Sequence, residues 1–271
     1  MVKLFRNNLS VSDVWVSSND KLSDFYASSW QRGESPVPML VIRLVLAAVA
    51  TGLLIWSLVE GASPYWLIYL TNWGLLLVTM MTTSGLLVSI IAICAKPDYD
   101  DIEVPWYIGV YWFIYNIAVS LALMITALYW ILLYNPDNYE SRRMFWFDLS
   151  THGFNSCIAI VELLVSRTPL RLLHIYQPLG IGVWYAVFTA IYYAAGGTDS
   201  KGEPYIYEVL DWRNGRRSTA IIFISFGGLM VIYIVLCAVT LARDKISTSL
   251  VRMTSHDLPP TPPDLMHSRL V

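Results

Sequence analysis

The stretch Phe145-Trp146-Phe147-Asp148-Leu149-Ser150-Thr151-His152-Gly153-Phe154-Asn155-Ser156, continuing apolar to Val165, decides the fold. It is the weakest of several long apolar runs, because an acid, an imidazole and an amide lie inside it. Counted as a membrane span, it makes the number of spans even and puts both chain ends on one side. Titratable groups are costly in hydrocarbon and usually face a bundle interior or a wet cavity. His152 therefore needs a reason, either functional or structural.

Outward from this stretch, a spanning helix takes about 20 largely apolar residues. The runs Met39–Val59, Trp66–Ala95, Trp106–Leu133, Phe145–Val165, Leu170–Ala195 and Ala220–Ala242 approach or exceed that length. The expected fold is all-α: a polytopic membrane helical bundle of about six transmembrane helices. A polar segment (1–38) precedes it, and a disordered tail (244–271) follows. The second and third runs are long, so tilt is expected. Pro169, in the Arg167–Arg171 break, favours a turn with helix restarting after it.

Composition agrees with a membrane protein. Of 271 residues, 56% are hydrophobic and 14% charged, and mean hydropathy is +0.52. The net charge of -2 gives no sign of nucleic-acid binding. Cys94, Cys157 and Cys237 lie in or beside apolar runs and read as small buried hydrophobes. No metal or cofactor motif is present, and the absence of lysine from the spans argues against a retinal Schiff base. The first apolar run comes too late and is too long for a cleaved signal peptide, so it reads as a retained anchor.

Lys21, Arg32, Lys96, Arg167, Arg171, Arg243, Lys245 and Arg252 fall on the side of the termini. Arg142, Arg143, Lys201, Arg213, Arg216 and Arg217 fall on the other. The excess places both termini in the cytoplasm, in a plasma or internal membrane. Trp15, Phe25, Tyr26 and Trp30 lie at the membrane surface or in loose chain. The tail carries Pro259-Pro260-Thr261-Pro262-Pro263, which is unstructured or a docking segment for a protein partner.

Thr71, in Tyr69-Leu70-Thr71-Asn72-Trp73, enters its span from the same side as His152. Both lie about six residues in, or about 9–10 Å below that face at 1.5 Å per residue. A threonine hydroxyl beside neutral imidazole is a nucleophile with a base. Asp148, four residues before His152, would orient the ring. Asn72 or Asn155 would donate to an oxyanion. The structural alternative has Thr71 bonding its own helix backbone and His152 tying helices together.

Glu162 lies two turns beyond Asn155. It is protonated, paired with Arg167 or Arg171, or lines a proton path. His174 is expected at the interface. The loop Pro204-Tyr205-Ile206-Tyr207-Glu208-Val209-Leu210-Asp211-Trp212 sits on the side of Thr71 and His152. Tyr205, Tyr207, Asp211 and Trp212 either cap a cavity there or anchor the membrane surface.

That loop, with Arg171-Leu172-Leu173-His174 and Ala195-Gly196-Gly197-Thr198, resembles the rolling-stone family of membrane proteins. The resemblance covers roughly the first span through the sixth. It implies a plasma-membrane role in cell–cell fusion, without catalysis. More distantly, Tyr69–Trp73 and Thr151–Asn155, with Glu162 downstream, are similar to the androgen-induced membrane hydrolases. These cleave fatty acid esters of hydroxy fatty acids with an intramembrane threonine and histidine. That likeness implies Thr71 and His152 as the catalytic pair, no cofactor, and membrane lipids or a lipid ester as partners. The long loop after the fifth run and the asparagines near the motifs depart from the hydrolase pattern.

The N-x-S/T sequon at Asn8-Leu9-Ser10 tests the orientation. With both termini cytoplasmic, glycosidase treatment of protein from a glycosylating cell leaves its mobility unchanged. A shift that Asn8→Gln abolishes would reverse the topology.

Overall fold

The computed structural model describes residues 21–95, 104–134 and 142–251. The Asn8 sequon, Trp15 and the proline-rich tail lie outside them. The helices are α1 (Val37–Glu60), α2 (Leu70–Ala95), α3 (Trp106–Leu128), α4 (Arg142–Leu149), α5 (Asn155–Val165), α6 (Tyr176–Ala194) and α7 (Gly215–Leu250). A π turn extends α3 over Tyr129–Leu133, and another joins α4 to α5 over Ser150–Phe154. Prolines open α1 and α3, where a missing N–H costs no helical bond.

The fold is the all-helical membrane bundle expected. Among the described residues, four helices are long and apolar enough to cross a membrane: Val37–Glu60, Leu70–Ala95, Trp106–Leu133 and Trp212–Leu250. The other two expected spans take a different form. Phe145–Val165 is helical, but its centre is the π turn. Leu170–Ala195 gives its first residues to an extended strap and a 3-10 turn at Leu172–Ile175, leaving 19 residues in α6.

Helix α3 is the hub. It packs on α2, α5, α6 and α7, and half of its most apolar window is inside the bundle, against 22–39% for the other three. A helix apolar on every face gains most from that place. On the outside, Val41, Leu44 and Val45 of α1 and Phe223, Ile224 and Val231 of α7 are exposed. Faces this apolar need hydrocarbon beside them. α7, with 36 residues, is about 54 Å long at 1.5 Å per residue, well beyond a hydrocarbon core of about 30 Å.

One end of the bundle is tied by charge. Arg43 of α1 is fully buried and meets Glu162 of α5, with Nε and Nη2 donating to Oε1 at 2.9 and 2.8 Å. Its Nη1 donates to Phe25 O, Gly85 O and Ser89 Oγ. Tyr111 donates to the same carboxylate oxygen at 2.8 Å. Gly85 permits this: a Cβ there would lie 2.9 Å from the Tyr111 ring and 3.1 Å from Arg43 Nε. Glu162 was expected to pair with Arg167 or Arg171. Its partner is instead Arg43, the lone charge in the first apolar run.

The carbonyls ending α5 have no helical partners, so other elements supply donors. Arg243 takes Leu163 O, Trp30 Nε1 takes Leu164 O, Ser29 N takes Val165 O, and Ser29 Oγ takes Ser166 O. Arg167 in turn donates to the carbonyls of Ser28, Gln31 and Gly33. The N-terminal segment is therefore strapped into the bundle. Phe25 and Tyr26, expected at the surface or in loose chain, are core residues at 0% and 5% exposure. Ser247 Oγ bonds Ser29 O, so the tail expected from 244 begins inside α7. His174 is buried rather than interfacial, beside Asn116 and against Trp112. Cys94 and Cys157 are exposed, and only Cys237 is buried.

Breaking a buried pair from one side strands a charge and costs about 3–5 kcal/mol, whereas an apolar replacement of both partners costs far less. Glu162→Gln should lower the unfolding temperature in detergent strongly. Arg43→Met added to Glu162→Gln should recover part of the loss. A double variant as unstable as the sum of the two singles would contradict the pairing.

Candidate functional site

At the opposite end, a cavity of about 460 Å³ opens between α1, α2, α3 and the α4–α5 helix. Its polar lining includes Glu60, Thr71, Asp148, Thr151, His152 and Tyr207, with Tyr129 alongside. Thr71 and His152, 81 positions apart in the numbering, thus face one space. No direct hydrogen bond joins them, which leaves the cavity itself as the place where a reacting group would sit.

Local chemistry explains how His152 is presented. Ser150 Oγ donates to Phe147 O at 2.7 Å, and Thr151 Oγ1 donates to Phe147 O and Asp148 O at 3.1 and 3.2 Å. Side chains that compete for backbone carbonyls loosen a helix, and Gly153 has low helix propensity. The turn widens to π over Ser150–Phe154, a deviation frequent at functional sites. The His152 carbonyl is met by Thr126 Oγ1 of α3, which also bonds Ser156 Oγ.

The imidazole is 9% exposed and lies flat against Tyr129, with ring centroids 3.6 Å apart and planes 4° from parallel. Its Nδ1 has no hydrogen-bond partner among the described residues. Asp148, expected to orient the ring, instead accepts from Tyr129 Oη at 2.6 Å. Tyr129 therefore links the acid to the imidazole, by a hydrogen bond on one side and a stacked face on the other. Sequence reasoning missed this residue; the end of the third apolar run gave only aromatics of ordinary interfacial type.

Thr71 is the second residue of α2. No complete helical turn precedes it, and it lines the cavity together with Tyr207. The Tyr207 hydroxyl accepts from Leu70 N–H at 3.0 Å, supplying one of the orphan donors of a helix start. Burial pushes the Tyr207 phenol up, so it stays protonated and able to donate. Tyr185 Oη fixes the same corner by donating to Ile68 O at 2.8 Å.

The two asparagines expected to serve an oxyanion are placed differently: Asn72 lines the cavity with Thr71 and His152, and Asn155 does not. Asn72 donates to Trp66 O at 2.6 Å and accepts from Ser57 Oγ, closing the turn before α2. Asn155 is buried beside Gly74, outside the cavity lining. Of the expected loop cap, Tyr207 covers the cavity, while Tyr205 and Trp212 line a separate small pocket against α6. Asp211 binds Arg213 at 2.8 Å, and that bond holds its carboxyl below the usual carboxylate range. Trp212 Nε1 donates to Thr189 Oγ1 at 3.2 Å. The Trp212 bond, with that of Ser218 Oγ to Asp211 O, anchors the loop to the bundle, and Tyr207 is the residue it lowers into the site. Among the described residues, no group of three or more His, Cys, Asp or Glu could hold a metal ion.

Comparison with known proteins supplies the relationship. The family model described as Protein rolling stone matches residues 1–249. Protein rolling stone of Drosophila melanogaster is 31% identical over 224 residues, covering 79% of this chain and 81% of that protein. No solved structure gives a significant match. The chain belongs to the rolling stone family.

Proposed function

We propose that this protein is an intramembrane lipid-ester hydrolase with Thr71 as nucleophile and His152 as base. It would cross the membrane six times with both termini cytoplasmic. The observation that carries the reading is the shared cavity: a threonine and a histidine from separate helices line one polar space inside an apolar bundle. The distant likeness of Tyr69–Trp73 and Thr151–Asn155 to threonine hydrolases supports it.

In the proposed reaction, Thr71 Oγ1 attacks the ester carbonyl and its proton passes to neutral His152. Tyr207, a protonated donor beside Thr71, stabilises the oxyanion in the role first expected of the asparagines. The carbon–oxygen bond to the alcohol breaks, and the imidazolium protonates the leaving oxygen. Water then attacks the acyl-threonine, giving up its proton to His152. The acid leaves and Thr71 regains its proton. Tyr129 keeps the ring from rotating, and Asp148 fixes Tyr129.

Ester turnover by the purified full chain tests this. Thr71→Ala and His152→Ala should each reduce turnover to background with unfolding temperatures near wild type. Equal turnover in wild type and Thr71→Ala would refute the nucleophile. Tyr129→Phe keeps the stacked ring and loses a hydrogen bond to a carboxylate, worth about 1.5 kcal/mol or about tenfold in rate. Tyr129→Leu loses both and should be slower still. Unchanged rates in both Tyr129 variants would deny that residue a positioning role.

A further inference from the structure

A second, apolar space adjoins the polar cavity. It lies between α3, α6 and α7, has a volume of about 110 Å³, and is walled by Leu121, Met124, Ile125, Ala186, Ile222 and Phe226. Apolar cavities of similar size, about 150 Å³, stay dry and take up hydrocarbon. Thr71, Tyr129, Leu133 and Tyr207 line both spaces. Thr71 thus stands at the boundary between an apolar slot and a polar chamber about four times its volume.

From this juxtaposition we propose that the slot seats the carbonyl-proximal part of one acyl chain. The polar remainder of the same single-chain amphiphile occupies the larger cavity. An occupant with one apolar and one polar end satisfies both spaces. Water alone leaves the slot unfilled, and a wholly apolar molecule leaves Asp148, His152 and Glu60 facing hydrocarbon. The slot is too small for two chains side by side. Its width is set where α6 meets α7: a Cβ at Gly182 would lie 2.7 Å from the Phe226 ring. Met124 supplies an adaptable wall opposite, its Sδ 3.7 Å from a Cβ built at Gly228. The carbonyl of such a chain comes to rest beside Thr71. The assignment rests on the reading of Thr71 and His152 as the ester site, but occupancy is measurable without turnover.

The test uses the full chain in nanodiscs, with palmitic acid carrying a diazirine near its carboxyl end and adducts mapped by peptide mass spectrometry. Adducts should fall on the slot walls in α3, α6 and α7. Unlabelled palmitate should compete and hexadecane, which has no polar end, should not. Gly182→Val, which drives Phe226 inward, and Ala186→Trp, which fills the slot directly, should each cut these adducts at least about tenfold. Leu44→Ala, on the outward face of α1, should leave them in place. Slot adducts in a protein without ester turnover would keep this proposal and remove the hydrolase. Adducts confined to outward residues such as Phe223 and Ile224 in the wild type would overturn it.

Discussion

The buried pair between Arg43 and Glu162 is the constraint on which the rest of the bundle depends. Two charges without access to water are tolerable only if their remaining donors and acceptors find partners. Arg43 makes that demand on Phe25, Gly85 and Ser89, and Glu162 makes it on Tyr111. One guanidinium thus fixes the N-terminal segment, α1, α2, α3 and α5 relative to one another. Helix contacts in hydrocarbon lack a strong hydrophobic drive, so directional bonds of this kind set rotation as well as proximity. The bonds of Arg243, Trp30 and Ser29 to the end of α5 extend the same lock to α7.

A rigid end permits an open one. With α1, α2 and α5 fixed below, their other ends need not close on each other, and a polar cavity persists between them. Its walls combine a helix start, two π turns and a loop that lowers one tyrosine. Each is a place where regular backbone bonding lapses. Side chains repair the lapses: Tyr207 at Leu70, Thr126 at His152 and Asn72 at Trp66. The candidate site is made by the same groups that complete the backbone.

The helical membrane fold was legible because apolar runs of spanning length carry it directly. So was the common side of Thr71 and His152, which follows from the order of spans. Rotation about each helix axis is not encoded in span order. For that reason Asn155 read as a site residue and is placed beside Gly74, and Asp148 read as a partner of His152 and bonds Tyr129. Arg43 was a visible signal that went unused, since a single arginine in an apolar run demands a buried partner. The polar look of residues 21–36 misled for a different reason. Their hydroxyls and carbonyls complete the end of α5, a long-range need that local composition does not show.

The proposed nucleophile is the Thr71 hydroxyl, at the start of α2. The direct measurement is the mass of the Leu70–Trp73 region after the full chain has reacted with a fluorophosphonate and been digested. A single phosphonyl adduct on Thr71, absent from the His152→Ala protein, is the predicted result. An adduct on another residue, or none with the protein folded, would rule out Thr71 as the nucleophile.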